Sequence, residues 1–299
     1  MYKVSIIIVS YNTKELLFNC LQSIFSLQFI DNYEVIVVDN NSSDGTIKMV
    51  EELYPMTKLI KSNKNIGFGA ANNLGCKIAK GEYLFFLNSD TVLYEDSIYK
   101  LLYFFKTYHN KLNIGAIGCL MVDNEGNING YGSSFPNCRN ESNKHFKKIK
   151  LLSKYFSDDV ETYNTDQEYF KVDYVLGADM FINKNLFIEL NGFDEKYFMY
   201  YEESDFQFRL SLRGYKQYIV TSTKILHLED GTGKKMQNYS NKKRILVHKS
   251  RNLYLSKNDK ENYMKYLIID SIVTLLNIFN FRYSINDNIL YIKEVFKSY

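Results

Sequence analysis

The first 120 residues alternate between short apolar runs and longer stretches whose apolar residues recur at helical spacing. Residues 4–9, 35–38, 58–60 and 83–87 are short and rich in β-branched or aromatic side chains. Residues 14–25, 46–53 and 68–79 carry apolar side chains three and four apart. The second of these helical stretches follows Asn41-Ser42-Ser43-Asp44, side chains suited to accept from free helix N–H groups. Such alternation predicts a parallel sheet covered on both faces and joined by right-handed crossovers. Ligands of such a sheet bind outside the carboxyl ends of its strands.

From 124 to 170 the periodicity weakens. The stretch is polar, basic over 139–154, and is expected to be an insertion or lid. A second ordered block follows, predicted as a strand at 171–182, a helix at 184–190, a turn at Asn191-Gly192-Phe193-Asp194, a helix at 202–213, and strands near 217–220 and 224–228. The expected organisation is one α/β domain over 1–255 and a helical extension over 256–299. Within that extension, 263–281 is mostly apolar but holds Lys265 and Asp270. A charge at the centre of a membrane helix costs about 2.5–3.5 kcal/mol, which argues against a span. Two readings stand: an interfacial helix beside a basic block, or a helix packed on the domain or in a homo-oligomer interface.

Composition narrows the classes of partner. The formal charge of +3 in 299 residues gives no case for nucleic acid, and none is expected. Its distribution says more, because 234–260 holds nine Lys/Arg and the single acid Asp259. Taken alone, that block calls for an anionic partner: a diphosphate, the lipid headgroups of an anionic membrane surface, or nucleic acid. Cys20, Cys76, Cys119 and Cys138 are widely separated with no CxxC pair, as reduced thiols of a cytosolic protein would be. The apolar run after Met1-Tyr2-Lys3 is short for a signal segment and suits a buried first strand.

The candidate chemistry begins with an omission. Ser10-Tyr11-Asn12-Thr13 follows the first strand with no glycine, so neither a dinucleotide fingerprint nor a P-loop is present. The second strand instead ends in Asp39, a carboxylate at the ligand rim able to accept from a base or ribose; a turn and helix cap is the plain alternative. The fourth ends Asn88-Ser89-Asp90, which offers an amide and a carboxylate to a hard divalent cation. Glu202, Glu203 and Asp205 fall in the first turn of a predicted helix. They either complement its macrodipole or form a base tuned by its neighbour. His227 follows a β-rich stretch and is an ordinary structural histidine unless other motifs converge on it.

Together these segments resemble the family-2 glycosyltransferases of the GT-A fold, in particular the bacterial rhamnosyltransferase-like branch. The resemblance spans about residues 1–255 and rests on five ordered motifs: VSIIIVSYN, VVDNNSSDGT, NIGFGAANN from Asn65, LNSDT, and GFDEKYFMYYEESDF. It implies an α/β fold with a mostly parallel central sheet. It also implies a nucleotide-sugar donor, Mn2+ or Mg2+ as cofactor, a glycan or lipid-linked acceptor, and inversion at the anomeric carbon. Position by position, Asp39 would contact base or ribose with Ser10 and Tyr11 lining the pocket, and Gly67 and Asn72 match the donor loop. Asp90 ends the metal motif whose first position is Asn88, and His227, followed by Gly231, would complete the metal shell. Glu203 stands where the family carries its base, usually an aspartate, with Glu202 as the fallback. Arg251 would approach the diphosphate. By resemblance the donor leans to dTDP-rhamnose over a UDP-sugar. The alternatives are a non-catalytic sugar-nucleotide or lipid-sugar binding protein on the same fold, and a nucleotidyltransferase, whose Gly-rich basic motif is missing after the first strand.

Overall fold

A computed structural model of the chain describes residues 3–27, 33–147, 163, 165–228 and 240–299. Gly231, Lys234, Lys235 and residues 148–162 of the expected insertion lie outside the described residues. In chain order the elements are β1 (Val4–Ser10), α1 (Lys14–Phe25), β2 (Tyr33–Asp39), α2 (Thr46–Leu53), β3 (Lys58–Lys61), α3 (Phe68–Ile78), β4 (Tyr83–Asn88), β5 (Thr91–Leu93), α4 (Ser97–Leu112) and β6 (Ile114–Val122). There follow β7 (Ile128–Gly130), β8 (Gly132–Ser133), α5 (Cys138–Lys147), β9 (Tyr169–Val172), β10 (Tyr174–Val175), β11 (Asp179–Asn183), α6 (Lys184–Glu189), α7 (Glu202–Ser211) and β12 (Lys216–His227). Three helices end the chain: α8 (Asn241–Asn258), α9 (Lys260–Leu276) and α10 (Ile285–Phe296). They fall into two compact units, one of Met1–Ser134, Tyr163–Phe198 and Glu202–Lys235, the other of Phe135–Thr162, Met199–Tyr201 and Met236–Tyr299.

The first unit is built on a sheet of order β3-β2-β1-β4-β11-β6-β12-β5. β3, β2, β1 and β4 are mutually parallel, β11 runs against both β4 and β6, and β6 and β12 are parallel. Side chains alternate between the sheet faces with a period of two. Ile6, Ile8, Val35, Val37 and Phe85 accordingly join one buried cluster, and Ile7, Ile36, Val38, Leu84 and Phe86 join another. Both faces are apolar because helices cover both. The register aligns Ser10 with Asp39 and Val9 with Asn88, so three neighbouring strands end at one rim.

Several elements depart from the expectation. The strand expected at 171–182 divides into β9, β10 and β11, with Leu176-Gly177-Ala178 left out of any strand; β9 pairs with β12, β10 with β8, and β11 with β4 and β6. The two strands near 217–228 are one, β12, with a register shift between Val220 and Lys224 against β6. Helix α4 and strand β6 were not foreseen. The sequence of α4, SIYKLLYFFKTYHNKL, is aromatic enough to suit a strand, but Leu101, Phe104 and Phe105 lie buried on one helical face and Asp96 caps its N-terminus.

The second unit packs α5, α8, α9 and α10 around a polar centre. Asp270 of α9 is 0% exposed. It accepts from His145 Nε2 (3.0 Å), His248 Nε2 (2.7 Å), Arg251 Nη2 (3.0 Å) and the Tyr299 hydroxyl (2.7 Å). Burial alone would raise its pKa; the hydrogen bonds from His145 and His248 and the charge of Arg251 outweigh that and hold the carboxyl well below the usual range. His248 is pushed down to about 4 by burial and then by Arg251. A neutral ring donating from Nε2 to Asp270 leaves Nδ1 to accept from the Tyr291 hydroxyl at 2.6 Å, so one tautomer satisfies both contacts. All four cysteines are free and buried.

Candidate active site

The rim of β1, β2 and β4 is tied together by short polar links. Asn40 N–H donates to Ser10 O at 2.8 Å, and the hydroxyls of Ser10, Thr13 and Ser89 form a chain with separations of 2.8 and 3.1 Å. The DNN and LNSD motifs thus meet across β1. Asp39 is 0% exposed: its Oδ2 accepts Ser42 N–H at 3.0 Å, while Oδ1 has no hydrogen-bond partner. A buried acceptor left open in this way costs stability unless a ligand supplies the donor. Asp39 thus holds the turn after β2 with one oxygen only, and Asp44 accepts from Lys14 N–H and from the N–H and hydroxyl of Thr46 at the starts of α1 and α2. Ser10 is buried beneath the rim and Tyr11 is exposed above it.

Asn40 then reaches the NIGFG loop. Its amide donates to Asn65 Oδ1 (3.0 Å) and Gly67 O (3.2 Å), and its own Oδ1 accepts Ile66 N–H (2.9 Å). Gly67 has φ of +89°, and a Cβ there would stand 2.3 Å from the carbonyl oxygen of Phe198. Only glycine fits, because Phe68 N–H donates to that same carbonyl at 2.8 Å. Asn72 is buried, its amide bonded to Phe68 O, which makes it a brace of this loop. Its neighbour Asn73 exchanges hydrogen bonds with the backbone of Phe193 at 2.8 and 3.0 Å, so the NIGFGAANN and GFDEKYF segments are one packed piece.

The acids of α7 join the same rim. A Cβ on Gly69 would lie 3.3 Å from Glu202 Cβ, and one on Gly177 would lie 3.5 Å from Glu203 Cβ. The residue after Gly177, Ala178, accepts Asn88 N–H at 3.0 Å, which links the acids to the end of β4. Glu202 is 3% exposed, and its Oε2 has no hydrogen-bond partner. Burial, and then the neighbouring charge of Glu203, raise its pKa well above the usual range. Immediately before it, Tyr200 and Tyr201 sit at φ of 71° and 70°. Left-handed backbone at two bulky residues costs roughly 1–2 kcal/mol each, and such strain gathers at functional positions.

Sequence reasoning passed over Asp179. It opens β11 opposite Leu87 of β4, fully buried, with Oδ2 accepting Cys119 N–H at 2.6 Å and Oδ1 unsatisfied. Gly118 leaves room for it, since a Cβ there would press on both carboxylate oxygens at 3.1 Å. Burial raises its pKa to about 6. The signal was there: a lone acid inside Val175-Leu176-Gly177-Ala178-Asp179-Met180-Phe181-Ile182.

Asp90 turns from β4 into β5, and its carbonyl accepts Leu228 N–H at 2.8 Å. β5 pairs with β12, which sets His227 opposite Thr91 and His227 Nε2 at 3.5 Å from Asp90 Oδ1. Of the motifs that would give His227 a role, the structure brings the LNSD segment to it through Asp90. Among the described residues no three His, Cys, Asp or Glu side chains form a metal site by themselves. A carboxylate and an imidazole at this separation nonetheless fit one divalent cation, since neighbouring ligands at about 2.1 Å from an octahedral ion stand about 3 Å apart, and Mg2+ commonly completes its shell with substrate phosphate. Asn88 Oδ1, buried and unpartnered, adds a neutral oxygen to the same rim. Arg251 belongs to the second unit. Its guanidinium pairs with Asp270 at 3.0 Å and Glu141 at 3.6 Å, and its side chain is 15% exposed. A diphosphate would have to displace two carboxylates to use it.

The mixed α/β sheet, mostly parallel and with acids from separate loops at its strand ends, has the GT-A fold. The sequence model of Glycosyl transferase family 2 matches residues 5–163, and the chain belongs to that family. Rhamnosyltransferase WbbL of Escherichia coli (strain K12) is 28% identical over 236 residues, 75% of this chain and 83% of WbbL. Poly(ribitol-phosphate) beta-N-acetylglucosaminyltransferase TarP of Staphylococcus aureus (strain N315) is 30% identical over 140 residues, 46% of this chain. The chain spans 40% of the length of TarP and 29% of that of the uncharacterized glycosyltransferase YfnE of Bacillus subtilis (strain 168). Among solved structures, residues 1–349 of S. aureus TarS align over 99% of this chain and 80% of that one, with TM-score 0.58 and 16% identity. The mannosyltransferase PcManGT from Pyrobaculum calidifontis aligns over 100% and 74%, with TM-score 0.57 and 16% identity. At these identities the likeness is one of fold.

Proposed function

We propose that the chain is an inverting, metal-dependent glycosyltransferase that moves a sugar from dTDP-rhamnose or a UDP-sugar to a glycan or lipid-linked acceptor. The product belongs to a cell-surface polysaccharide, and the enzyme works in the cytoplasm at the inner face of the membrane. One observation carries the reading: five motifs far apart in sequence are joined by hydrogen bonds and close packing into a single rim, with Asp39 Oδ1, Asn88 Oδ1 and Glu202 Oε2 left without donors. The solved neighbours support a nucleotide-sugar donor, since they include TarS with UDP-GlcNAc and PcManGT with GDP-Man and Mn2+. WbbL, a rhamnosyltransferase, supports the choice of sugar.

In this reading Asp39 accepts from the base or ribose and fixes the donor's nucleoside end. Asp90 and His227 would hold Mn2+ or Mg2+, which when bound neutralises charge gathering on the departing diphosphate. Gly67 and Asn72 shape the loop beside the donor. Glu203 takes the proton of the acceptor hydroxyl as that oxygen attacks the anomeric carbon from the face opposite the leaving group, and one displacement inverts the centre. Glu202, whose pKa is raised by burial and by the charge of Glu203, shapes the field around Glu203 and is the fallback base. Arg251, committed to its carboxylates, is given no part.

The test is donor turnover and transfer with a panel of UDP-, dTDP- and GDP-sugars, with and without Mn2+, in the wild type, Asp90→Ala and Glu203→Gln. Both variants should lose transfer, and only Asp90→Ala should lose metal-dependent donor binding. Full transfer by Glu203→Gln, or donor binding by the wild type without turnover on any acceptor, would overturn the proposal.

A further inference from the structure

The second unit is built inside out. The face that α9 turns inward carries Tyr266, Asp270 and Thr274, one helical turn apart, and all three are buried. Its outward face carries Met264, Ile268, Ile272, Leu275 and Leu276, with Ile268 62% exposed. At 100° per residue these five fall within one 120° sector, a continuous apolar stripe. The stripe is continued by Phe279 and by Phe281, which is 96% exposed. α10 repeats the inversion, burying Asn288 and Tyr291 along with Val295 while exposing Ile285 and Ile289. Half of the exposed large apolar side chains among the described residues fall between Met264 and Phe296. An amphipathic helix ordinarily points its apolar face at the core, and an exposed patch of this kind marks a binding surface.

The charge around the stripe identifies the partner. Residues 240–299 hold eleven Lys/Arg against five Asp/Glu. One of those acids, Asp270, is fully buried. Exposed Lys265 lies in the same sector of α9 at the N-terminal end of the stripe, Arg282 directly follows Phe281, and exposed Lys293 lies on the outward side of α10. No helix among the described residues is long and apolar enough to cross a membrane, and α9 at 17 residues is about 25 Å long. Apolar side chains at the middle, cations at the margins and too little length to span are the features of a helix that lies in the plane of an anionic bilayer. A second copy of the chain would instead bring these cations against their own kind.

We infer that the outward face of α9, continued through Phe281 to α10, is a docking surface for an anionic membrane. The inference stands on the second unit alone and does not depend on the transfer chemistry. The full chain is floated with vesicles of phosphatidylcholine, or of phosphatidylcholine with phosphatidylglycerol, at low and high salt. Its mass in solution is measured without lipid. The wild type should bind the anionic vesicles, and salt should weaken that binding. Ile268→Asn with Ile272→Asn should lower vesicle binding by about tenfold or more, and Lys265→Gln with Arg282→Gln should lower it less and remove most of the salt dependence. Because these side chains are exposed, both variants should keep the wild-type melting temperature and turnover of soluble donor. Equal binding to neutral vesicles, no binding to anionic ones, or undiminished binding by the asparagine variant overturns the inference. A wild-type dimer that the asparagine pair dissociates, with no vesicle binding, assigns the face to a second copy.

Discussion

Asp270 and three acids of the strand-end rim, Asp39, Asp179 and Glu202, are buried to a similar degree and treated in opposite ways. Asp270 accepts from two histidines, an arginine and a tyrosine, and these partners hold its pKa down against burial. At the rim, Asp39, Asp179 and Glu202 each keep a buried oxygen with no partner, and burial raises Asp179 and Glu202. A saturated carboxylate belongs to the structure, because its energy is already spent within the fold. An unsaturated one is held by the fold against its own preference, which is what a site made for a ligand requires. The second unit has a different imbalance: its central carboxylate, Asp270, is fully bonded inside while large apolar side chains face outward.

The largest expected effect tests that division from the catalytic side. Glu203→Gln removes the proposed base and should cut transfer by about 10²–10⁴-fold. The melting temperature should hardly move, since the amide keeps the side chain's shape. Transfer is followed by product chromatography and stability by thermal unfolding. A variant that loses activity only by melting would place Glu203 with Asp270 among the structural acids.

Asp270→Ala should do the reverse. It strands Arg251 and two histidines in a buried space, and breaking a buried pair from one side costs about 3–5 kcal/mol. Because the folded pKa of Asp270 lies below its unfolded value, its contribution is present above about pH 4 and is lost as pH falls through the folded value. The stability gap between wild type and variant should therefore narrow in acid. A gap that stays constant with pH would remove Asp270 from the charge network.

Asp179 gives the opposite slope. Its pKa near 6 lies above the unfolded value, so the native state holds a proton that the unfolded chain releases between about pH 4 and 6. Stability from this group is complete below that window and falls as pH rises through it. Asp179→Asn keeps an acceptor for Cys119 N–H and has no proton to lose. The stability of the variant relative to wild type should rise by roughly 3 kcal/mol from pH 4 to pH 7. Denaturant titrations at several pH values measure it, and a flat difference would mean that Asp179 is not strained in the fold.

These acids also mark how far the sequence could be read. The strand–helix alternation, the rim positions of Asp39 and Asp90 and the acids at the start of α7 were legible, because strand period, helix caps and motif order are local properties. Asp179 was not, because its meaning comes from β11 being inserted antiparallel between β4 and β6, a long-range pairing that no local pattern announces. Arg251 suited a diphosphate until its helix was seen to carry it to Asp270 and Glu141. For the same reason 263–281 was legible as a helix with an apolar side, but not as one that buries its polar side. Which face of a helix turns inward depends on what the neighbouring helices offer, and here they offer histidines and an arginine.

The finest test concerns Asp39, where both halves of the comparison meet in one side chain. In an Asp39→Asn variant the amide oxygen keeps the hydrogen bond from Ser42 N–H, so the turn after β2 is retained. What the change removes is the charge behind the unpartnered oxygen. If that oxygen waits for a donor on the nucleoside, its hydrogen bond to a charged group is worth about 1.5–3 kcal/mol, a ten- to hundredfold weakening of UDP or dTDP binding. Stability without nucleotide should be unchanged or slightly higher, because a buried carboxylate short of a partner has been neutralised. Calorimetric titration of both nucleotides, paired with thermal unfolding of the free protein, separates the two effects. Nucleotide affinity that survives together with lower stability would mean that Asp39, like Asp270, holds the fold and not the donor.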